Sequence, residues 1–186
     1  MQDEKKLVKD CLKQHPAAQK QLYELFAREM LGICYRYTKS MHDAEEVLQQ
    51  GFIKVFQYLH QYRSDGELGA WIRRIMVNTA INYLKRRPQY QLDLSFEDAH
   101  LHPVDNHQPD LTVQMKDLLN LVRQLPAGYQ TIFNLHAVEG YSHVEIAKMM
   151  GISEGTSRSQ YARARGLLIS WLENHGINDK KDYYAR

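Results

Sequence analysis

Cysteine is scarce. The 186-residue chain has two, Cys11 and Cys34, in no spacing that ligates a metal. A disulfide framework is excluded, and reduced thiols in a cytoplasmic setting are expected. No apolar run approaches the roughly 20 residues that span a bilayer. The charged opening MQDEKKLVKD is not expected to act as a signal peptide. Period-two alternation is missing, so strands are not expected. Also missing are a nucleophile elbow, a Gly-rich phosphate loop and a pair of His on one helix face. The nine histidines are scattered, and His100 and His102 have no Cys partner. Neither catalysis, nor a cofactor, nor a metal site is therefore expected. Asp43, Glu45 and Glu46 do cluster, but at a predicted helix start, where the dipole favours carboxylates.

Basic residues are missing from one stretch only. Residues 88–115 hold five acids and no Lys or Arg, while residues 1–87 hold 15 Lys/Arg against 10 Asp/Glu and residues 116–186 hold 9 against 7. Residues 88–110 also lack any period and contain three prolines, so a flexible acidic linker is expected there. The expected fold is all-α: two small helical domains, 1–87 and 111–173, with a polar tail, 174–186.

The most informative stretch is Tyr141–Leu168. Ser142 with Glu145 three residues on forms a capping box. Ile146, Ala147 and Met150 give the helix that follows one apolar face. Gly151 sits where a left-handed residue ends a helix, and Ser153 caps the next one. Two helices joined by such a turn form a helix-turn-helix, whose second helix enters the DNA major groove. On that second helix Ser157, Tyr161, Ala164, Leu168 and Trp171 share the inner face. Arg158, Ser159, Ala162, Arg163 and Arg165 share the outer one. Arginine is the usual bidentate reader of guanine, and serine contacts bases or phosphates.

Earlier in the chain, a lead-in helix is interrupted at His15-Pro16. A helix from Ala17 to Tyr37 repeats Leu22, Leu25, Phe26, Met30, Ile33 and Tyr37 at core spacing. Asp43 is the expected N-cap of a helix over Ala44–His60. Its inner face holds Leu48, Phe52, Val55, Phe56 and Leu59; its outer face holds Glu46, Gln49, Gln50, Ile53 and Gln57. A polar face with a central apolar residue suits a protein partner. After a Ser/Asp/Gly loop comes a helix over Ala70–Arg87. Ile72, Ile75, Met76, Thr79, Ala80, Tyr83 and Leu84 form its buried stripe. Arg74, Asn78, Ile81, Asn82 and Lys85 lie opposite, extended by Arg73 and closed by Arg86 and Arg87. Asparagine is a poor mid-helix residue, so two on one exposed side suggest contacts to phosphates and base edges. After the linker, a helix from about Asp110 to Gln124 carries Leu111, Leu118, Leu119, Val122 and Leu125. A further helix follows Pro126, with Tyr129, Ile132, Phe133 and His136 on its inner face, and ends at Glu139-Gly140.

Two blocks together carry a resemblance. DAEEVLQQGFIKVF (43–56) with YRSDGELGAWIRRIMVNTAINYLKRR (62–87) is similar to region 2 of extracytoplasmic-function (ECF) sigma factors of bacterial RNA polymerase. LPAGYQTIFNL (125–135) with EGYSHVEIAKMMGISEGTSRSQYARAR (139–165) is similar to their region 4. The order, with a short acidic linker between, is far more specific than a helix-turn-helix alone.

The resemblance implies a factor that binds core RNA polymerase, through its β′ and β subunits, and promoter DNA. It implies that Glu46, Gln49, Gln50 and Ile53 dock on a β′ coiled coil. Arg63, Ser64, Asp65, Trp71, Arg74, Asn78, Asn82 and Lys85 would recognise and open the −10 element, the loop holding a flipped-out base. Thr156, Arg158, Ser159, Ala162, Arg163 and Arg165 would read the −35 element. The linker would thread toward the active-site cleft, and an anti-sigma factor would be a partner. Gln50, Gly51, Gly69 and Ser157 depart from the family pattern. The competing reading is a polymerase-independent regulator whose residues 1–87 sense a ligand or dimerise; a third is an adaptor with no DNA role.

Overall fold

The computed structural model describes residues 2–64, 66–87 and 115–174; no strand occurs among them. The linker, the segment around Asp110 and Leu111, His100, His102 and the tail beyond residue 174 lie outside the described residues. Two compact units divide at Arg87 and Pro88.

In the first unit, α1 (Gln2–Leu12) is followed by α2 (Pro16–Tyr37). His15 is extended, as the residue before proline must be, and Pro16 opens α2, where a missing N–H costs nothing. Then come α3 (Met41–Tyr58), a 3₁₀ turn (Leu59–Gln61) and α4 (Leu68–Lys85). Helices α2, α3 and α4 pack on one another around Leu22, Met30, Ile33, Val47, Phe52, Val55, Ile72, Met76 and Ala80. Each large apolar side chain buried there contributes about 1.5–3 kcal/mol.

Four expectations change in this unit. The N-cap of α3 is Ser40, whose hydroxyl accepts the Asp43 N–H; Asp43 lies inside the first turn. The helix also gives way to the 3₁₀ turn after Tyr58 instead of running to His60. Ile81, expected outside, is 2% exposed. Because α4 packs against both α2 and α3, its apolar arc is wider than one stripe and takes in Val77 and Ile81. Leu25, expected in the core, is 63% exposed. Its spacing matches Leu22, but it lines an open cavity between α1, α2 and α4 instead of the packed core.

The second unit contains α5 (Met115–Gln124), α6 (Ala127–Phe133), α7 (His143–Met150) and α8 (Glu154–Asn174). Pro126 stands at the N-cap of α6. Helix α6 continues as a π turn over Asn134–Val138, closed by the Glu139 N–H donating to the Asn134 carbonyl. Sequence period alone does not reveal that extra residue. Leu121, Val122, Leu125, Tyr129, Ala164 and Leu168 form the core, with Phe133, Leu167, Trp171 and Leu172 packed against it. Leu119, expected inside, is 37% exposed.

Candidate nucleic-acid interfaces

Helix α4 presents Arg74, Asn78 and Asn82 to solvent, with Trp71 and Lys85 half-buried on the same spacing. The stripe is possible because the opposite side is filled: Thr79 is buried and accepts a hydrogen bond from Lys54 Nζ at 3.2 Å. Burial, with the charge of Arg86 nearby, lowers the Lys54 pKa. At the N-terminal end of the stripe a cavity of about 260 Å³ opens, lined by Gln61, Tyr62, Arg63, Glu67, Trp71 and Arg74. The Tyr62 and Trp71 rings lie 5.6 Å apart at 49°. Two aromatic rings and two guanidinium groups around such a cavity suit an unstacked base. Tyr62 is the residue that sequence reasoning missed; the signal was an aromatic directly before the loop arginine. Its hydroxyl donates to the Gly66 carbonyl at 2.5 Å, closing the loop, and Ser64 takes a left-handed φ of 56°. Arg63 and Ser64 are exposed; Asp65 lies outside the described residues.

The outer face of α3 stands as expected. Glu46, Gln49, Gln57 and Ile53 are exposed, Ile53 at 66%, and Gln50 is half-buried. Gln50 Nε2 donates to Glu46 Oε1 at 3.0 Å. The other Glu46 oxygen is 3.2 Å from the Tyr83 hydroxyl, which donates to Asp43 Oδ1 at 2.7 Å. Arg87 completes the cluster. It donates to Asp43 Oδ1 and to the Tyr83 hydroxyl, both at 2.5 Å, and lies over the Tyr83 ring. The end of α4 is thus tied to the start of α3, and Arg87 belongs to that tie rather than to the exposed stripe of α4. Burial and the neighbouring Asp43 push the Tyr83 hydroxyl up to about 12. The departure at Gly51 has a packing cause: a Cβ there would be driven into the buried Met76 thioether. At Gly69 a Cβ would come within 3.2 Å of the Phe26 ring.

In the second unit the capping box is complete. Ser142 Oγ accepts the Glu145 N–H at 3.3 Å, and the Glu145 carboxylate accepts the Ser142 N–H at 2.8 Å. Gly151 has a φ of 73°, in the left-handed region that a side chain would strain. Ser153 Oγ accepts the Thr156 N–H at 3.0 Å, which caps α8 and leaves Thr156 half-buried. Arg158, Ser159, Ala162, Arg163 and Arg165 are all exposed. Arg158 Nε and Nη2 donate to Glu154 at 2.9 and 2.5 Å. An exposed pair of this kind contributes only about 0.3–0.5 kcal/mol. A bidentate contact to guanine is worth about 1–3 kcal/mol, more than this pair would hold back.

Beneath this face lies a group that the sequence did not announce. Ser157, fully buried, is 2.9 Å from His143 Nδ1. The His143 ring stacks on His136 at 4.2 Å, and Tyr161 meets His136 edge-on at 4.6 Å. His136 Nδ1 is 2.8 Å from the Tyr141 carbonyl. The hydroxyl at position 157, where the family pattern has an apolar residue, is matched by this imidazole. No group of three or more metal-ligating side chains occurs among the described residues. No helix of the described residues is long and apolar enough to cross a membrane.

Comparison with known proteins is consistent along the chain. Residues 22–88 match the model for Sigma-70 region 2, and residues 115–168 match that for Sigma-70, region 4. The ECF RNA polymerase sigma-E factor of Haemophilus influenzae is 30% identical over 164 residues, covering 82% of this chain and 86% of that protein. The RNA polymerase sigma-H factor of Pseudomonas aeruginosa is 31% identical over 160 residues, covering 80% and 82%. The ECF RNA polymerase sigma factor SigW of Bacillus subtilis is 26% identical over 181 residues, covering 91% and 97%. The fold is shared with the sigma factor RpoE of Bartonella quintana, solved in complex with the anti-sigma factor NepR. The TM-score is 0.52 at 21% identity, over 83% of this chain and 96% of that one. With a region 2 unit, a region 4 unit and whole-length relatives in agreement, the chain belongs to the extracytoplasmic-function family of RNA polymerase sigma factors.

Proposed function

We propose that this chain binds core RNA polymerase and directs it to promoters by contacting both the −35 and −10 elements. One observation carries the reading: each unit holds a helix with an exposed stripe suited to nucleic acid, Arg74–Lys85 on α4 and Arg158–Arg165 on α8. Residues 1–87 act as the polymerase-binding and −10 module, residues 111–173 as the −35 module. Glu46, Gln49, Gln50 and Ile53 dock on the polymerase, where a polar rim around one exposed apolar side chain supplies burial without the cost of a buried charge.

The mechanism needs no chemistry from this chain, and the family's members are transcription initiation factors. Each module alone binds weakly. Held on one polymerase, the second contact becomes effectively intramolecular and gains about 10²–10⁴ in avidity. At the −35 element Arg158 and Arg163 read base edges, while Thr156, Ser159 and Arg165 hold the backbone; Ala162 is small enough to let the helix approach closely. At the −10 element Arg74, Asn78, Asn82 and Lys85 follow the strand, and an unstacked base enters between Tyr62 and Trp71. Unstacking costs a few kcal/mol, offset by ring and guanidinium contacts. Strand separation is then a shift of population toward the open form, which alone presents that base.

The setting is cytoplasmic. Both cysteines are buried, and burial pushes the Cys34 thiol up to about 12, which suits an inert thiol. The Bartonella relative is solved with an anti-sigma factor, and we assign this chain a partner of the same kind. The test is reconstitution: the purified chain is added to core polymerase with genomic promoter fragments. Promoter-specific transcripts are expected. DNA binding without them would favour a polymerase-independent regulator.

A further inference from the structure

Helix α1 lies ahead of the residues that match region 2, yet it reaches the other end of the unit. Glu4 Oε1 accepts the N–H of Leu68 at 3.1 Å, across a sequence separation of 64. Leu68 is the first residue of α4 and is fully buried. The first N–H groups of a helix have no partner inside it, and its N-terminus carries a partial positive charge. Helix α4 supplies neither need locally: Glu67, at the N-cap, makes no side-chain cap, and the first turn holds no acid. The carboxylate comes from α1 instead.

The anchored turn is the one that matters for the base cavity. Trp71 lies one turn from Leu68, and its N–H donates to the Glu67 carbonyl. The loop before it is closed on its other side by the Tyr62–Gly66 bond and carries the left-handed Ser64. The buried Leu68 and Ile72 hold this turn in the core of the unit, but its α1 side is less filled. Phe26 abuts Gly69, but the seam between the three helices is otherwise a cavity of about 750 Å³. Helix α1 is itself firmly seated, with Leu7, Val8 and Cys11 buried. A seated α1 therefore adds a carboxylate tie to the packing that holds the first turn of α4.

We propose that Glu4 is a positioning residue for promoter opening: it fixes the first turn of α4 and so sets Trp71 against Tyr62. The proposal rests on the reading of that cavity as the −10 base site. The experiment uses the full chain with core polymerase on a promoter from which wild type initiates. It reads permanganate reactivity of the −10 region, association with core, and thermal stability for wild type, Glu4→Ala, Glu4→Gln and Trp71→Ala. Glu4→Ala is expected to lower the open fraction about three- to tenfold, with core association within twofold. Glu4→Gln keeps an acceptor without the charge and is expected to recover part of the loss. Normal opening by Glu4→Ala, with Trp71→Ala defective, overturns the role of Glu4 while leaving the cavity reading intact. Normal opening by Trp71→Ala overturns the cavity reading and this inference with it. Parallel loss of opening, core association and stability in Glu4→Ala, with no recovery in Glu4→Gln, marks a merely structural residue and also overturns it. Should Glu4→Ala not fold, Glu4→Gln decides: unchanged opening overturns the proposal, and reduced opening with intact core association supports it.

Discussion

Tyr83→Phe isolates the tie between α3 and α4. The change removes one hydroxyl that donates to Asp43 at 2.7 Å and accepts from Arg87 at 2.5 Å, and leaves the ring in place. Its single hydrogen cannot fully serve Glu46 as well, at 3.2 Å, so one donated and one accepted bond are lost. Bonds to charged groups contribute about 1.5–3 kcal/mol each in buried sites. Here the Arg87 side chain is 47% exposed and water replaces much of the loss, so about 1–2 kcal/mol in total is expected. The Asp43–Arg87 ion pair remains. For a unit of this size that corresponds to a fall in Tm of roughly 4–16 °C. Trp71 fluorescence in a Trp171→Phe background follows this unit alone. Burial raises the Asp43 pKa, but the side-chain hydrogen bonds from Tyr83, Ser40 and Arg87 outweigh it and hold the value below the usual one. Stability from a depressed carboxylate is fully present above its unfolded value of about 4 and is lost as pH falls through the folded one. The difference between Tyr83→Phe and wild type should therefore be constant near neutral pH and shrink as acid carries the pH below the usual carboxylate value and through the depressed one. A double-mutant cycle with Asp43→Asn supplies the refutation: additivity within about 0.5 kcal/mol would mean that the two groups are not coupled.

Four further outcomes follow from the same geometry. Arg158→Ala should cost about 1–3 kcal/mol of discrimination at the −35 element; a binding assay showing unchanged preference between promoter and mutated site would count against it. Gln49→Ala with Ile53→Ala should abolish co-purification with core polymerase without changing the far-ultraviolet spectrum, and retained co-purification would move the docking face elsewhere. Gly51→Ala should destabilise by about 1–3 kcal/mol through overpacking on Met76 and should turn stabilising, by up to about 1 kcal/mol of helix propensity, in a Met76→Ala background; urea titrations that show stabilisation in both backgrounds would refute the packing account. Burial lowers the His143 pKa, with the charges of His136 and Arg158 adding to the effect and Glu154 opposing it. The folded state then binds fewer protons than the unfolded one. The contribution is therefore full above about pH 6.5 and declines as pH falls through the depressed folded value. His143→Gln should flatten that slope in the second unit, followed by Trp171; an unchanged slope would assign it to another group.

Much of the candidate site was legible because it depends on neighbours three or four residues apart. The Ser142–Glu145 box, the Gly151 turn and the Ser153 cap are local hydrogen-bond chemistry, and all three are present. The outer residues of α8 and the Glu46–Ile53 face are exposed as their spacing requires. Leu25 and Ile81 were misread for one reason. A period says which residues share a side but not how closely other helices cover it: α4 is packed by two, while Leu25 on α2 meets an open cavity. Ser40 rather than Asp43 caps α3 because either residue type can cap, and Asp43 is drawn instead to Tyr83 and Arg87.

By itself, then, the sequence determined an all-helical chain, the helix-turn-helix, and which faces of α3 and α8 are left exposed. These follow from propensity, capping and period, which act over a few residues. Only the tertiary structure decided that Arg87 closes a network with Asp43 and Tyr83, that His143 meets Ser157 beneath the recognition helix, and that Glu4 caps α4. Those pairings join residues 14 to 64 apart, and no local pattern specifies which distant groups the packing of helices will bring within hydrogen-bond reach.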